Sequence, residues 1–189
     1  NVPIVGDIKN VLGELNKLVQ PQKHIDWINQ LEEWRKQYPL TDTRKSDGLL
    51  PQYIIEQLYQ ATRGEAIIVT GVGQHQMWTA QHYIFHEPGT FISSGGLGTM
   101  GFGLPAAMGA KVGRPERTVW CIDGDGSFQM NMQELATLVQ DNIKVKIAIL
   151  NNGFLGMVRQ WQELFHGRNY VATPLSCPDF VKLAEAFGI

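Results

Sequence analysis

Thr-Val-Trp-Cys-Ile-Asp-Gly-Asp-Gly-Ser-Phe-Gln-Met, residues 118–130, is an apolar, β-rich run that breaks at Gly124-Asp125-Gly126-Ser127. Val-Lys-Ile-Ala-Ile-Leu-Asn-Asn-Gly-Phe-Leu-Gly-Met, residues 145–157, repeats the pattern, with the break at Asn151-Asn152-Gly153. Between them Met132, Leu135, Leu138 and Val139 recur at helical spacing, so the unit reads strand–helix–strand. A right-handed crossover of this kind makes its strands parallel and brings Asp125 and Asn152 out on the same carboxyl edge of a sheet. A carboxylate and a carboxamide oxygen meeting there, with few other charges near them, suit a hard cation such as Mg²⁺. That ion takes about six oxygens, usually completed by phosphates and water. Asp-Gly and Asn-Gly are also the commonest turn dipeptides, so either motif alone reads as a plain loop.

The same alternation extends outward. A helix is expected over 51–62, with Pro51 in its first turn and Gly64 just past its end. Ala66–Thr70 reads as a buried strand running into Gly71-Val72-Gly73, and Thr90–Ser93 as a second strand. Gly101–Lys111 reads as a helix rich in small residues, followed by helices near 155–165 and 178–187, the last closed by Gly188. The predicted fold class is therefore α/β, a doubly wound parallel sheet with helices on both faces. Residues 1–20 read as the last strand and helix of a preceding domain, residues 21–47 as a linker helix and linker, and residues 48–189 as the main domain. A parallel sheet should continue after a helix such as 178–187, so the chain is expected to be a piece of a longer one, truncated at both ends.

Composition narrows the function. The 189 residues are 43% hydrophobic and 18% charged with a net charge of −2, the balance of an ordinary soluble globular domain. No basic patch points to nucleic acid, and no apolar run reaches the roughly 18 residues that cross a bilayer. Cys121 and Cys177 are too few and too far apart for a disulfide framework or a metal cluster, which fits a reducing cytosol. Glycines cluster at 71–73, 95–103 and 124–126, as expected where backbone approaches a ligand.

Gly-Asp-Gly, then the 24 residues 127–150, then Asn-Asn resembles the signature of thiamine diphosphate enzymes. Gly71-Val72-Gly73-Gln74-His75-Gln76-Met77-Trp78, the stretch Ser94–Pro105 and Gly156-Met157-Val158-Arg159-Gln160-Trp161-Gln162 narrow it further. Together they are similar to the C-terminal catalytic region of the acetolactate synthase (acetohydroxyacid synthase) large subunits. The resemblance runs over the whole chain and is densest from Val69 to Phe165.

The resemblance implies a role for each segment. Asp125, Asn152 and the Phe154 carbonyl would hold Mg²⁺ bearing the diphosphate of thiamine diphosphate. The diphosphate would lie against the first turns of helices 101–111 and 127–139, with Gly126 and Ser127 as donors and Val72, Gly73, Gln74 and His75 at its phosphate end. The Gly98 carbonyl and the Met100 N–H would meet the pyrimidine, and the Met100 side chain would wedge between the rings, with core packing as the lesser alternative for Met100. Met157, Val158, Trp161 and Phe165 alone describe a buried helix face; by resemblance this helix covers the cofactor, with Trp161 bounding the acceptor pocket. His24, His82, His86 and His166 receive no role.

The implied reaction is decarboxylation of pyruvate and carboligation to a second 2-ketoacid, pyruvate or 2-ketobutyrate, in branched-chain amino-acid biosynthesis, with the cofactor as electron sink. The family's pyrimidine-binding domain and its activating glutamate have no counterpart in residues 1–189, and its flavin (FAD) domain has none beyond the final strand and helix expected at 1–20. A second catalytic subunit would complete the site, and isolated 1–189 is expected to be inactive. Retention of FAD and the presence of a regulatory subunit stay open. The expected location is the cytoplasm, or an organellar stroma or matrix in a eukaryote. Other thiamine enzymes (pyruvate oxidase, glyoxylate carboligase, sulfoacetaldehyde acetyltransferase) and a non-catalytic cofactor-binding module are the alternatives.

Overall fold

A strand covered on both faces must be apolar throughout, and Ile67–Thr70 (β1) is buried at all four positions in the computed structural model of the chain. The structure describes residues 2–40 and 48–189. Three further strands, Phe91–Ser93 (β2), Val119–Gly124 (β3) and Lys146–Leu150 (β4), join β1 in one sheet of order β2-β1-β3-β4. All pairs are parallel, with Ile67 opposite Val119 and Cys121 opposite Ile147.

The side-chain period of two divides this sheet between two cores. Ile67, Val69, Val119 and Cys121 face Leu104, Ala107 and Met108 of α5 (Gly103–Gly113), Leu135 and Leu138 of α7 (Leu135–Gln140), and Phe180 and Leu183 of α9 (Phe180–Phe187). Ile68 and Ile122 face the other way, onto Ile55 and Leu58 of α3 (Pro51–Thr62) and Trp78 of α4 (Gln74–His82). Helices on both faces of a parallel sheet make the fold α/β and doubly wound. From β1 the chain goes to β2 on one side and then crosses back to β3 on the other. The carboxyl ends of β1 and β3 therefore flank the topological switch point, where such sheets open a crevice.

Local signals explain most boundaries. Pro51 opens α3, and Arg63 closes it in the left-handed region, followed by Gly64. Asp179 caps α9, accepting from the N–H groups of Val181 and Lys182, and left-handed Gly188 ends it.

Two stretches of residues 48–189 depart from expectation, and the strand expected within residues 1–20 does not form among the described residues. The helix expected over 127–139 is broken into α6 (Asp125–Phe128), a 3₁₀ turn at Met132–Glu134, and α7. Polar side chains there bind backbone elsewhere: Asn131 donates to the Gly101 carbonyl at 2.8 Å and Gln129 to the Asp125 carbonyl at 3.2 Å, and such bonds compete with a continuous helix. Helix α4 was not expected, because its buried residues, His75 and Thr79, are polar and leave no apolar period to read.

The chain divides into two units, Asn1–Asp42 and Thr43–Ile189. Within the first, α1 (Ile8–Leu18) and α2 (Ile25–Gln37) bury no residue. On α2, Trp27 and Trp34 meet edge to face at 5.6 Å, with both rings about half exposed. Residues 41–47 of the expected linker lie outside the described residues.

Candidate functional site

The carboxyl ends of β1, β3 and β4 open onto a cleft. Val72, Gly73, Gln74 and His75 enter it from the β1–α4 connection, Gly124, Asp125, Gly126 and Ser127 from the end of β3, and Asn152 and Phe154 from the loop after β4. Met100 reaches in from the turn before α5 and Met157 from the start of α8 (Gly156–Phe165). Residues separated by up to 86 positions in the chain (72 to 158) thus converge on one crevice. Two residues singled out from the sequence do not line it. Gly98 is exposed in the loop after β2, and Trp161, one turn beyond Met157, is 55% exposed with its ring 5.3 Å from Phe165.

Asp125 is the buried charge of the site, 2% exposed. Its Oδ2 accepts from the Gly153 N–H at 3.1 Å and from the Cys177 thiol at 3.1 Å. Burial and the adjacent carboxylate push the Cys177 thiol up to about 11. Asn152 Oδ1 accepts from the Phe154 N–H at 3.0 Å, a side-chain turn that shapes the loop and turns the residue into the cleft. The loop is pinned by a short antiparallel pairing with residues 173–175: Leu155 N–H donates to Thr173 O and Leu175 N–H to Gly153 O, both at 2.8 Å. The Arg159 guanidinium stacks 4.1 Å above the Phe154 ring and 5.0 Å from Tyr170, holding the same loop from outside.

Glycines make room for this arrangement. A Cβ on Gly126 would lie 2.9 Å from both Leu155 and Leu175, and one on Gly156 would overlap the Gln74 amide. Gln74 in turn donates to Gln160 at 3.0 Å, tying the β1–α4 connection to α8. The Ser127 hydroxyl accepts from Gly101 N–H at 3.0 Å and Val72 N–H at 3.4 Å, joining three loops at one atom.

Below the cleft lies a feature that sequence reading missed. Asp123 is fully buried at the end of β3; its Oδ1 accepts from Gly124 N–H at 2.9 Å and sits 3.4 Å from His75 Nε2. That second approach is not aligned as a hydrogen bond, and both His75 Nε2 and Asp123 Oδ2 lack a partner among the described residues. Asp123 Oδ2 lies at the first residue of α5, close to Gly103 and the Gly71 backbone, where the helix dipole favours negative charge. The visible hint was an acidic residue two positions before Asp125. Cys177 gave no hint, since it is 52 residues from the carboxylate it meets. His82 and His86 bond Glu56 and Tyr59 away from the cleft.

Residues 71–189 match the family model described as thiamine pyrophosphate enzyme, C-terminal TPP binding domain. The chain belongs to the thiamine pyrophosphate enzymes. The cleft of this thiamine pyrophosphate (thiamine diphosphate) enzyme lies within the matched segment. Over its whole length the chain is 52% identical to acetolactate synthase of Mycobacterium leprae (strain TN). It is 49% identical to the acetolactate synthase large subunit of Buchnera aphidicola subsp. Acyrthosiphon pisum (strain APS) and, again over its whole length, 48% to acetolactate synthase isozyme 3 large subunit of Escherichia coli (strain K12). The chain spans about a third of the length of these curated relatives, 32–34%.

The donor set suits a magnesium diphosphate. Among the described residues that line the cleft none is Lys or Arg, so an anion there would be met by backbone N–H groups and a cation. Among the described residues no three His, Cys, Asp or Glu side chains cluster as a metal cage. One buried carboxylate together with a carboxamide and a main-chain carbonyl matches an ion that keeps phosphate and water in its shell.

Proposed function

We propose that this chain is the diphosphate-binding part of an acetolactate synthase, which decarboxylates pyruvate and joins the product to a second 2-ketoacid, giving acetolactate or acetohydroxybutyrate. The observation that carries the reading is the convergence of Asp125, Asn152 and Phe154 at the switch point of a chain about half identical, end to end, to proteins of that name. Asp125 Oδ1, Asn152 Oδ1 and the Phe154 carbonyl would hold Mg²⁺. When bound, thiamine diphosphate supplies the electron sink for loss of CO₂.

The chain's own residues bind, orient and exclude water. Val72, Gly73, Gln74, His75, Gly126 and Ser127 surround the diphosphate end. Gly98 and Met100 would meet the pyrimidine, with Met100 as the side chain set against the cofactor's rings. Met157 and Trp161 on α8 cover the reacting end. Residues 1–20 belong to a preceding domain, residues 21–47 link it, and residues 48–189 form the diphosphate domain. A second catalytic subunit supplies the pyrimidine domain, FAD belongs to the middle domain, and a regulatory subunit is a further partner. No described helix is long and apolar enough to cross a membrane, in keeping with a cytoplasmic enzyme, or one of an organellar stroma or matrix. Product analysis of the full-length protein with pyruvate tests the reading: acetolactate without oxygen consumption is expected, and oxidation of pyruvate instead would overturn it.

Trp161 carries the prediction on acceptor choice. Its indole is half exposed on the same face as Met157, so its replacement should leave the core intact. One methylene in an apolar pocket is worth roughly 1–3 kcal/mol of discrimination. Trp161→Leu in the full-length enzyme is expected to lower the preference for 2-ketobutyrate over pyruvate by about tenfold, with the initial decarboxylation largely unchanged. Competition between the two ketoacids reads the ratio directly, and an unaltered ratio would remove Trp161 from the acceptor pocket.

A further inference from the structure

The two oxygens of Asp125 are not equivalent. Oδ2 receives both the Gly153 N–H and the Cys177 thiol, each at 3.1 Å, whereas Oδ1 has no hydrogen bond among the described residues. The thiol's direction is set by Gln129. The Gln129 amide nitrogen donates to the Asp125 carbonyl at 3.2 Å, an atom that can only accept, so the same nitrogen is presented to Cys177 Sγ at 3.8 Å. With Sγ accepting from Gln129, the S–H is left to point at Oδ2. Cys177 is held in place from both sides, by the Leu175–Gly153 backbone bond before it and by the Asp179 cap of α9 after it.

We propose that Cys177 is a positioning residue for the metal-binding carboxylate: its S–H, aimed by Gln129, fixes Asp125 Oδ2 so that Oδ1 alone is offered to the cation. The proposal rests on the reading of Asp125 as a Mg²⁺ ligand. A carboxylate with both oxygens free can rotate or chelate through both. One with Oδ2 doubly held presents a single lone-pair direction, as an ion demanding near-octahedral geometry requires. Partners of this kind are worth about 10- to 100-fold in metal affinity.

The test uses the full-length protein and reads binding, not turnover: the Mg²⁺ concentration giving half-maximal association of thiamine diphosphate, followed by tryptophan fluorescence or titration calorimetry. Cys177→Ala, which removes the donor, is expected to raise that concentration about tenfold or more. Cys177→Ser, which keeps a donor and acceptor of similar size, is expected to stay within about threefold of wild type. Equal losses in both variants would overturn the proposal, because sulfur packing and not donation would then be at work. Wild-type behaviour of Cys177→Ala beside a large loss in Asp125→Asn would overturn it while leaving the metal site intact. Wild-type behaviour of Asp125→Asn would overturn the metal reading and the proposal together.

Discussion

Asp125→Ala is expected to abolish Mg²⁺-dependent binding of thiamine diphosphate by the full-length protein. Among the described residues, Asp125 is the only Asp or Glu lining the cleft, and no Lys or Arg lines it either. Nothing nearby can therefore replace its charge on a hard cation, and the diphosphate cannot be held by side-chain cations in its place. The alanine variant also removes the acceptor of the Cys177 thiol and leaves the Gly153 N–H only its bond to Asn151 Oδ1 at 3.2 Å, and the 151–155 loop is expected to loosen. Asp125→Asn separates the two effects, since it keeps an oxygen at that place but removes the charge. Groups that only support a metal ligand are worth about 10- to 100-fold, so loss of the ligand's charge should exceed about a hundredfold. Calorimetric titration of thiamine diphosphate at saturating Mg²⁺ measures this. Affinity near wild type in Asp125→Asn would exclude Asp125 as a ligand.

The second large effect is one of space. A Cβ on Gly71 would overlap the Asp123 carboxylate and the Ser127 hydroxyl, both buried and both tied to backbone. Neither is the free end of a flexible chain, so β1 and β3 must part at the floor of the cleft. Overpacking of this kind costs about 1–3 kcal/mol, occasionally more, and Gly71→Ala should stand at the upper end. For a domain of this size that corresponds to a fall in unfolding midpoint of roughly 6–12 °C. Gly109 on α5 is the counterpart, with nothing within 4 Å of an added Cβ. Gly109→Ala should stabilise by about 0.5–1 kcal/mol through helix propensity. Thermal unfolding of both variants in the full-length protein measures the contrast, and shifts of the same sign would show that Gly71 is not there to make room.

Much of the frame was legible in the sequence, because the features that set it are local. Alternation of apolar runs with helical spacing reports which residues face a core. β3 and β4 were readable from runs that end at Gly124 and Asn151, and Pro51 and Gly188 mark helix ends by backbone chemistry alone. Right-handed crossover then places Asp125 and Asn152 on one edge without any knowledge of their contacts. The resemblance to thiamine enzymes rested on the same spaced motifs.

Other features belong to the tertiary structure alone. Helix α4 carries buried His75 and Thr79, so hydrophobic period gives no sign of it. The break between α6 and α7 comes from bonds that Gln129 and Asn131 make to backbone, one of them 30 residues away. Asp123 looks from its neighbours like a second exposed acid, yet closure of Gly71 and Gly103 over it leaves it fully buried. Trp161 looks like core by spacing but stands in solvent, since a period gives a face and not what covers it. Cys177 reaches Asp125 only because residues 173–175 pair with 153–155. Sequence determined which residues could meet at the sheet's carboxyl edge; chain closure over long separations decided which of them touch, because such contacts depend on how loops pack and not on local polarity or period.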